Sequence, residues 1–190
     1  VVWNAKRRRH VPSVVQVVLS LNPGGTERLV LELVRRLRDE LPMSVCCLDE
    51  AGAWGEELRA EHVDILALRR AQGFRPSLGR RIAAFARSRG ATVLHCHQYS
   101  PFVYGAVARV WHPGLKVVFT EHGRLSDAPP SPKRRFANRV LSHAPHEVYA
   151  VSGDLKEHIV GEGFSREQVL SRLAALDTTT ASALAIFPAA

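Results

Sequence analysis

The chain has 190 residues, 46% of them apolar, 7% aromatic and 23% charged, with 26 Lys and Arg against 18 Asp and Glu. That length supplies the core of one domain, and a mean hydropathy of -0.08 excludes a disordered chain. No apolar run approaches the ~20 residues that a membrane-spanning helix needs, so the expectation is a soluble protein.

The net charge of +8 is unevenly spread. Residues 1–13 hold four bases and no acid, residues 69–90 seven bases and no acid, and residues 122–143 five bases and one acid. The remainder is acidic, with 17 acids against 10 bases. Segmental charge of this kind points to a phosphate-bearing ligand or an anionic membrane surface. It argues against nucleic acid, because the aromatics are few and not interleaved with the bases. Cys46, Cys47 and Cys96 cannot build a disulfide framework and read as buried thiols of a reducing cytoplasm. Residues 1–13 lack the apolar stretch of a signal peptide and are set outside the fold as a basic tail.

Strand-length apolar runs then alternate with amphipathic stretches. A strand is expected at residues 14–19 (VVQVVL), followed by the turn SLNPGGTER and a helix over 26–40 whose Leu29, Leu33 and Leu37 share one face. Further strands are expected at 43–48, 64–68, 92–96, 116–120 and 147–151, with helices at 55–62, 77–89, 101–110, 132–142 and 155–161. This βαβ alternation predicts an α/β domain over residues 14–170, with a doubly wound, mostly parallel Rossmann-like sheet and helices on both faces. Residues 171–190 have no clear period and read as a linker or chain end.

Ligands of such sheets gather at the carboxyl ends of the strands. After the first strand, Gly24 and Gly25 let the backbone approach a ligand, and the next helix offers its N-terminal N–H groups to an anion or a sugar hydroxyl. The simpler reading is a tight turn before a helix capped near Thr26. The spacing is that of neither a dinucleotide fingerprint nor a P-loop, which argues against NAD or ATP. His95 and His97 fall on one side of the fourth strand, with Cys96 on the other; with His122 and Glu121 they form a conceivable metal set. Glu121-His122-Gly123 closes the fifth strand. Ser152 closes the sixth and reads as an N-cap, since it lacks the surroundings of a serine nucleophile. The cationic stretch 69–90 reads first as a surface helix with a solvated Arg face and second as a membrane-docking element.

Taken in order, Gly24-Gly25-Thr26-Glu27-Arg28 before a Leu-rich helix, Val93-Leu94-His95-Cys96-His97, Thr120-Glu121-His122-Gly123 and the VYAVSGD stretch ending at Asp154 resemble the N-terminal domain of family 4 glycosyltransferases. These are retaining enzymes of GT-B architecture that use a nucleotide-activated sugar. The resemblance covers about residues 14–170. It implies half of a GT-B fold, His122 as the catalytic residue beside the transferred sugar, and Gly24, Gly25, Thr26, Arg28, His97, Glu121, Gly123 and Ser152 as substrate-binding residues. It implies no metal and no cofactor beyond the nucleotide-sugar donor, and a lipid-linked, polysaccharide or small-molecule acceptor. Where the family has Asn-Gly-x-Asp, this chain reads Ala174-Ala175-Leu176-Asp177, and the second Rossmann domain that neutralises the leaving diphosphate is not in the sequence. The chain is therefore expected to need such a domain for catalysis. Two other readings stand beside this one: a metal-dependent hydrolase using His95, His97 and His122, and a non-catalytic module binding membranes or anions. The expected location is the cytoplasm, with attachment at the inner membrane face.

Overall fold

A computed structural model describes residues 11–124 and 130–171. Its elements run β1 (Val14–Val18), α1 (Gly25–Leu37), β2 (Met43–Cys47), α2 (Gly52–Ala60), β3 (Asp64–Ala67), α3 (Pro76–Ser88), β4 (Val93–His97), α4 (Tyr99–Trp111), β5 (Lys116–Glu121), α5 (Pro132–Leu141), β6 (Glu147–Ala150), α6 (Gly153–Gly161) and β7 (Val169–Ser171). The strands form one parallel sheet in the order β3-β2-β1-β4-β5-β6-β7. The fold is the expected Rossmann-like α/β arrangement. Most of the tail, and residues 172–190 with Asp177, lie outside the described residues.

Both faces of the central strands are covered, which is why β1 reads as a nearly continuous apolar run. Val15 and Val17 enter a core with Cys96, Phe102, Phe119 and the apolar faces of α3, α4 and α6. Val14 and Val18 face the other way, toward α1, whose Val30, Val34 and Leu37 are all fully buried. Cys96 likewise points opposite to His95 and His97, as strand alternation requires. It packs so closely under α4 that a Cβ on Gly105 would stand 2.5 Å from its sulfur. All three cysteines are buried free thiols, and burial pushes the Cys47 thiol up to about 12.

Several boundaries differ from expectation. Helix α1 stops at Leu37 rather than residue 40, because the chain turns there, with the amides of Glu40 and Leu41 both returning to the Leu37 carbonyl. Helix α2 starts at Gly52, whose φ of +72° suits glycine. The added strand β7 extends the edge with the pairs Val148 with Val169 and Tyr149 with Leu170. The arginines of α3 are tied within the fold: Arg81 donates to the Leu68 carbonyl, Arg87 to that of Trp111, and Arg80 lies over the Trp111 ring. This is the packed surface helix that the pattern first indicated.

Candidate functional site

The chain crosses from one face of the sheet to the other between β1 and β4. Helices α1 and α2 lie on one side, and α3 and α4, which follow β3 and β4, lie on the other. The carboxyl ends of β1 and β4 are therefore a topological switch point, the place where open α/β sheets bind ligands in a crevice. The loop after β1 leads into a helix with no side-chain cap, and the loop after β4 carries an unusual backbone.

The first loop leads into α1. Its N-cap residue is Gly24, in an extended conformation with no side-chain cap, rather than a cap near Thr26. No side chain bonds the first N–H groups of α1 at the positive end of the helix dipole, although the Glu27 carboxylate of the first turn lies beside Gly24. Around Gly25, apart from its chain neighbours and the backbone of its own helix turn, no heavy atom lies within 4 Å of the place a Cβ would occupy. The loop is held from behind, where Asn22 Nδ2 donates to Glu50 Oε1 at 2.7 Å and the Leu21 amide to the Ala51 carbonyl at 3.1 Å.

The second loop begins at Gln98, with φ +73° and ψ 167°, a region that costs a non-glycine residue about 1–3 kcal/mol. The surrounding bonds enforce it. The Gln98 amide donates to the Thr120 carbonyl at 2.9 Å, its own carbonyl receives Phe102 N–H at 3.2 Å, and its side chain reaches Thr26 Oγ1 at 3.5 Å. Gln98 thereby links the start of α1 to the ends of β4 and β5.

Beneath the crevice lies a line of buried polar groups. Gln16 Oε1 is 2.7 Å from His97 Nε2, and His97 Nδ1 is 2.9 Å from His122 Nε2. Gln16 and His97 are wholly inaccessible, whereas His122 is half-buried at the edge. His95 Nε2 meets Thr120 Oγ1 at 2.9 Å. Burial holds all three imidazoles neutral, lowering His95 to about 3, His122 to about 4 and His97 well below its ordinary value. Burial also lifts the Glu121 carboxyl to about 7, against the opposing pull of the His122 and Gly123 backbone N–H groups.

Gly24, Gly25, Thr26, His122 and Gly123 thus share one edge of the sheet with the open helix terminus. Arg28 is exposed one turn along α1. His97 and Glu121 lie beneath this edge, buried, so His97 touches other side chains and not the crevice. Ser152 is the N-cap of α6, its Oγ accepting Leu155 N–H at 3.1 Å. The geometry does not favour the metal reading: the imidazole nitrogens bond to each other, to Gln16 and to Thr120. No group of three or more His, Cys, Asp or Glu among the described residues is placed to hold a metal ion. Sequence reasoning missed Gln16 and Gln98. A lone amide inside VVQVV was a usable signal for the first, because a buried polar side chain requires a partner.

Farther along the same edge, toward β2 and β3, a cavity of about 450 Å³ opens between Asp49, Arg70, Phe74, Tyr99, Val103 and Tyr104. Phe74 stacks on Tyr104 with ring centroids 5.5 Å apart, and Arg70 holds Asp49 through two bonds of 2.9 and 3.2 Å. A larger hollow, about 640 Å³, lies at the amino edge among Ser13, Met43, Glu61 and Asp64. That is the edge of a parallel sheet where ligands do not gather.

The family described as Glycosyltransferase Family 4 matches residues 23–170. Comparison with the curated proteins gives no match. Among solved structures, Anabaena Alr3699/HepE in complex with UDP is 19% identical with a TM-score of 0.64, 84% of this chain covering 43% of that one. A glycosyltransferase from Rickettsia africae ESF-5 is 16% identical with a TM-score of 0.66, the shares being 84% and 42%. The UDP-GlcNAc 2-epimerase from Neisseria meningitidis bound to UDP-GlcNAc is 16% identical with a TM-score of 0.54, the shares being 83% and 45%. At such identities the likeness is one of fold, and an epimerase shares it, so topology alone does not choose the reaction. The chain spans less than half the length of each of these structures.

Proposed function

The chain belongs to glycosyltransferase family 4, and from that premise we propose that it forms the acceptor-side half of an enzyme that moves a sugar from a nucleotide-activated donor. The acceptor is lipid-linked, a polysaccharide or a small molecule, and the transfer retains the anomeric configuration. The observation that carries this reading is the convergence of the uncapped α1 terminus, the strained Gln98 and the neutral His122 at one switch point. In this reading His122 hydrogen-bonds a hydroxyl of the transferred sugar. The open amides after Gly24, with Thr26, Arg28 and Gly123, hold donor oxygens. Glu121 and Ser152 shape the loops behind them, and the aromatic cavity beside Tyr104 receives the acceptor. A second Rossmann-like domain completes the cleft and supplies cations for the leaving diphosphate as positive charge builds on the sugar. The donor is the co-substrate, no other cofactor is needed, and the reaction takes place in the cytoplasm.

The test joins the chain to the donor-side domain of a family 4 enzyme and offers labelled nucleotide sugars with lipid and glycan acceptors. Label should move to an acceptor. His122→Ala should lower kcat/KM about 10–100-fold, the worth of one strong hydrogen bond, while leaving the melting temperature within a few degrees. Absence of transfer from every donor would remove the reading, and undiminished transfer by His122→Ala would remove the site.

A second observation favours attachment to an anionic membrane. No helix among the described residues is long and apolar enough to cross a membrane. Helix α5, however, exposes Phe136 and Val140, at 72% and 60%, one turn apart among exposed Lys133, Arg135 and Arg139. An apolar pair ringed by bases suits a headgroup boundary, each base near it adding about 1 kcal/mol. Flotation with vesicles containing phosphatidylglycerol should retain the chain at low salt. Phe136→Ser with Arg139→Glu should release most of it. Binding that ignores both salt and the double substitution would count against α5.

A further inference from the structure

We propose that Gln16 and His97 are positioning residues that fix the tautomer of His122, so that it offers a bare Nδ1 to a ligand and receives a hydrogen bond from a hydroxyl group. The inference rests on reading His122 as a residue of the ligand crevice. It adds which chemical group His122 accepts there.

The argument follows the protons. Gln16 Oε1 lies 2.7 Å from His97 Nε2, and an amide oxygen carries no hydrogen, so the proton of this bond belongs to His97. Both residues are fully buried, and His97 is held neutral, so its Nδ1 is left with a lone pair. That lone pair faces His122 Nε2 at 2.9 Å. Two bare nitrogens at this distance would repel, so His122 donates from Nε2. A neutral imidazole has one proton to give, and His122 Nδ1 is consequently bare. It is also the ring nitrogen left for a ligand, because Nε2 is taken.

The same scaffold would do the opposite with the amide turned over. With Gln16 Nε2 donating, each proton moves to the other ring nitrogen and His122 presents Nδ1–H, which suits a phosphate or carboxylate oxygen. Gln16 is therefore a selector between a hydroxyl-receiving and an anion-receiving imidazole. Its Nε2 is buried without a partner among the described residues, and turning the amide over would leave Oε1 in that place, so either orientation bears a cost of about 1–3 kcal/mol. For a sugar, the bare Nδ1 is the useful form. It accepts a hydrogen bond from a hydroxyl, while the α1 amides beside it, which no side chain caps, suit anionic oxygens.

The experiment reads the tautomers directly, with neither ligand nor turnover, from long-range proton–nitrogen correlation spectra of the 15N-labelled 190-residue chain at pH 7. His97 and His122 should each show a protonated Nε2 and a lone-pair Nδ1. A His122 protonated on Nδ1 overturns the proposal in the unaltered protein, whatever any variant does. In Gln16→Leu the His97 proton loses its acceptor, so the resonance of His122 Nδ1 should move toward the protonated position. An unchanged His122 pattern in a folded Gln16→Leu chain equally overturns it. Failure of sugar transfer with the expected tautomers would remove the enzymatic reading alone; the reverse result would remove only the relay.

Discussion

The free energy of unfolding is expected to fall steeply as pH drops from about 6.5 to about 4. His95 and His122 have folded values near 3 and 4, and His97 also lies far below its ordinary range. In the unfolded chain each protonates near 6.5. Below that pH the unfolded state binds three protons that the native state refuses, so acid drives unfolding. Glu121 works the other way. Its folded value near 7 lies above the unfolded one, so between about pH 7 and 4.5 the native state holds one proton that the unfolded state releases. The balance is about two protons, or about 2.7 kcal/mol per pH unit around pH 5. Summed between pH 7 and 4 this is about 6 kcal/mol, enough to unfold a chain at the low end of the typical total of about 5–15 kcal/mol and less than half of the high end. Urea titrations at pH 7, 6, 5 and 4.5 measure the slope directly. A stability unchanged between pH 7 and 5 would mean that the imidazoles are not buried as a group. His95→Asn should reduce the slope by about one proton.

This acid sensitivity has a source that the sequence displays only in part. The strands were legible because a parallel sheet covered on both faces turns them into apolar runs, and His95-Cys96-His97 could be assigned sides from alternation alone. The His97 to His122 contact joins residues 25 positions apart, at the carboxyl ends of the adjacent strands β4 and β5. It becomes visible only once the strand order is known. The same holds for Gln98, whose strained backbone is imposed by Thr120 and Phe102 and leaves no mark in its local sequence. Boundaries failed where local chemistry was ambiguous. Residues 38–40 are charged in a pattern that continues a helix as readily as it ends one. The short edge strand Val169–Ser171 is too brief to show a period. Glycines were legible as turn-makers, but which of them faces a ligand and which faces the protein's own backbone was not.

That distinction yields two substitutions with opposite expected results. Gly25 is the first residue of α1, and beyond its chain neighbours and its own helix backbone nothing lies within 4 Å of the position its Cβ would take. Gly25→Trp should therefore leave the unfolding free energy within about 1 kcal/mol of the original. If that space belongs to the donor, the indole fills it, and transfer in the joined enzyme should fall more than about 100-fold, since even a 1 Å displacement of reacting groups costs that much. Gly52 sits on the far side of the same loop with φ +72°. A Cβ there would lie 2.4 Å from the Asn22 nitrogen and 2.5 Å from the Leu21 carbonyl carbon. Backbone cannot yield as a side-chain tip does, so Gly52→Val carries both the left-handed penalty of about 1–2 kcal/mol and an overpacking cost of about 1–3 kcal/mol. It should lower stability by about 3 kcal/mol and push the loop that Asn22 and Leu21 hold in place toward the crevice. Urea titration separates the two variants before any assay. A stable Gly25→Trp chain that still transfers sugar would show that the empty space is not used by the donor. A Gly52→Val chain of unchanged stability would show that the loop is not braced against α2. A stable, inactive Gly25→Trp beside an unstable Gly52→Val would locate the ligand on the open side of the loop, where the α1 amides already point.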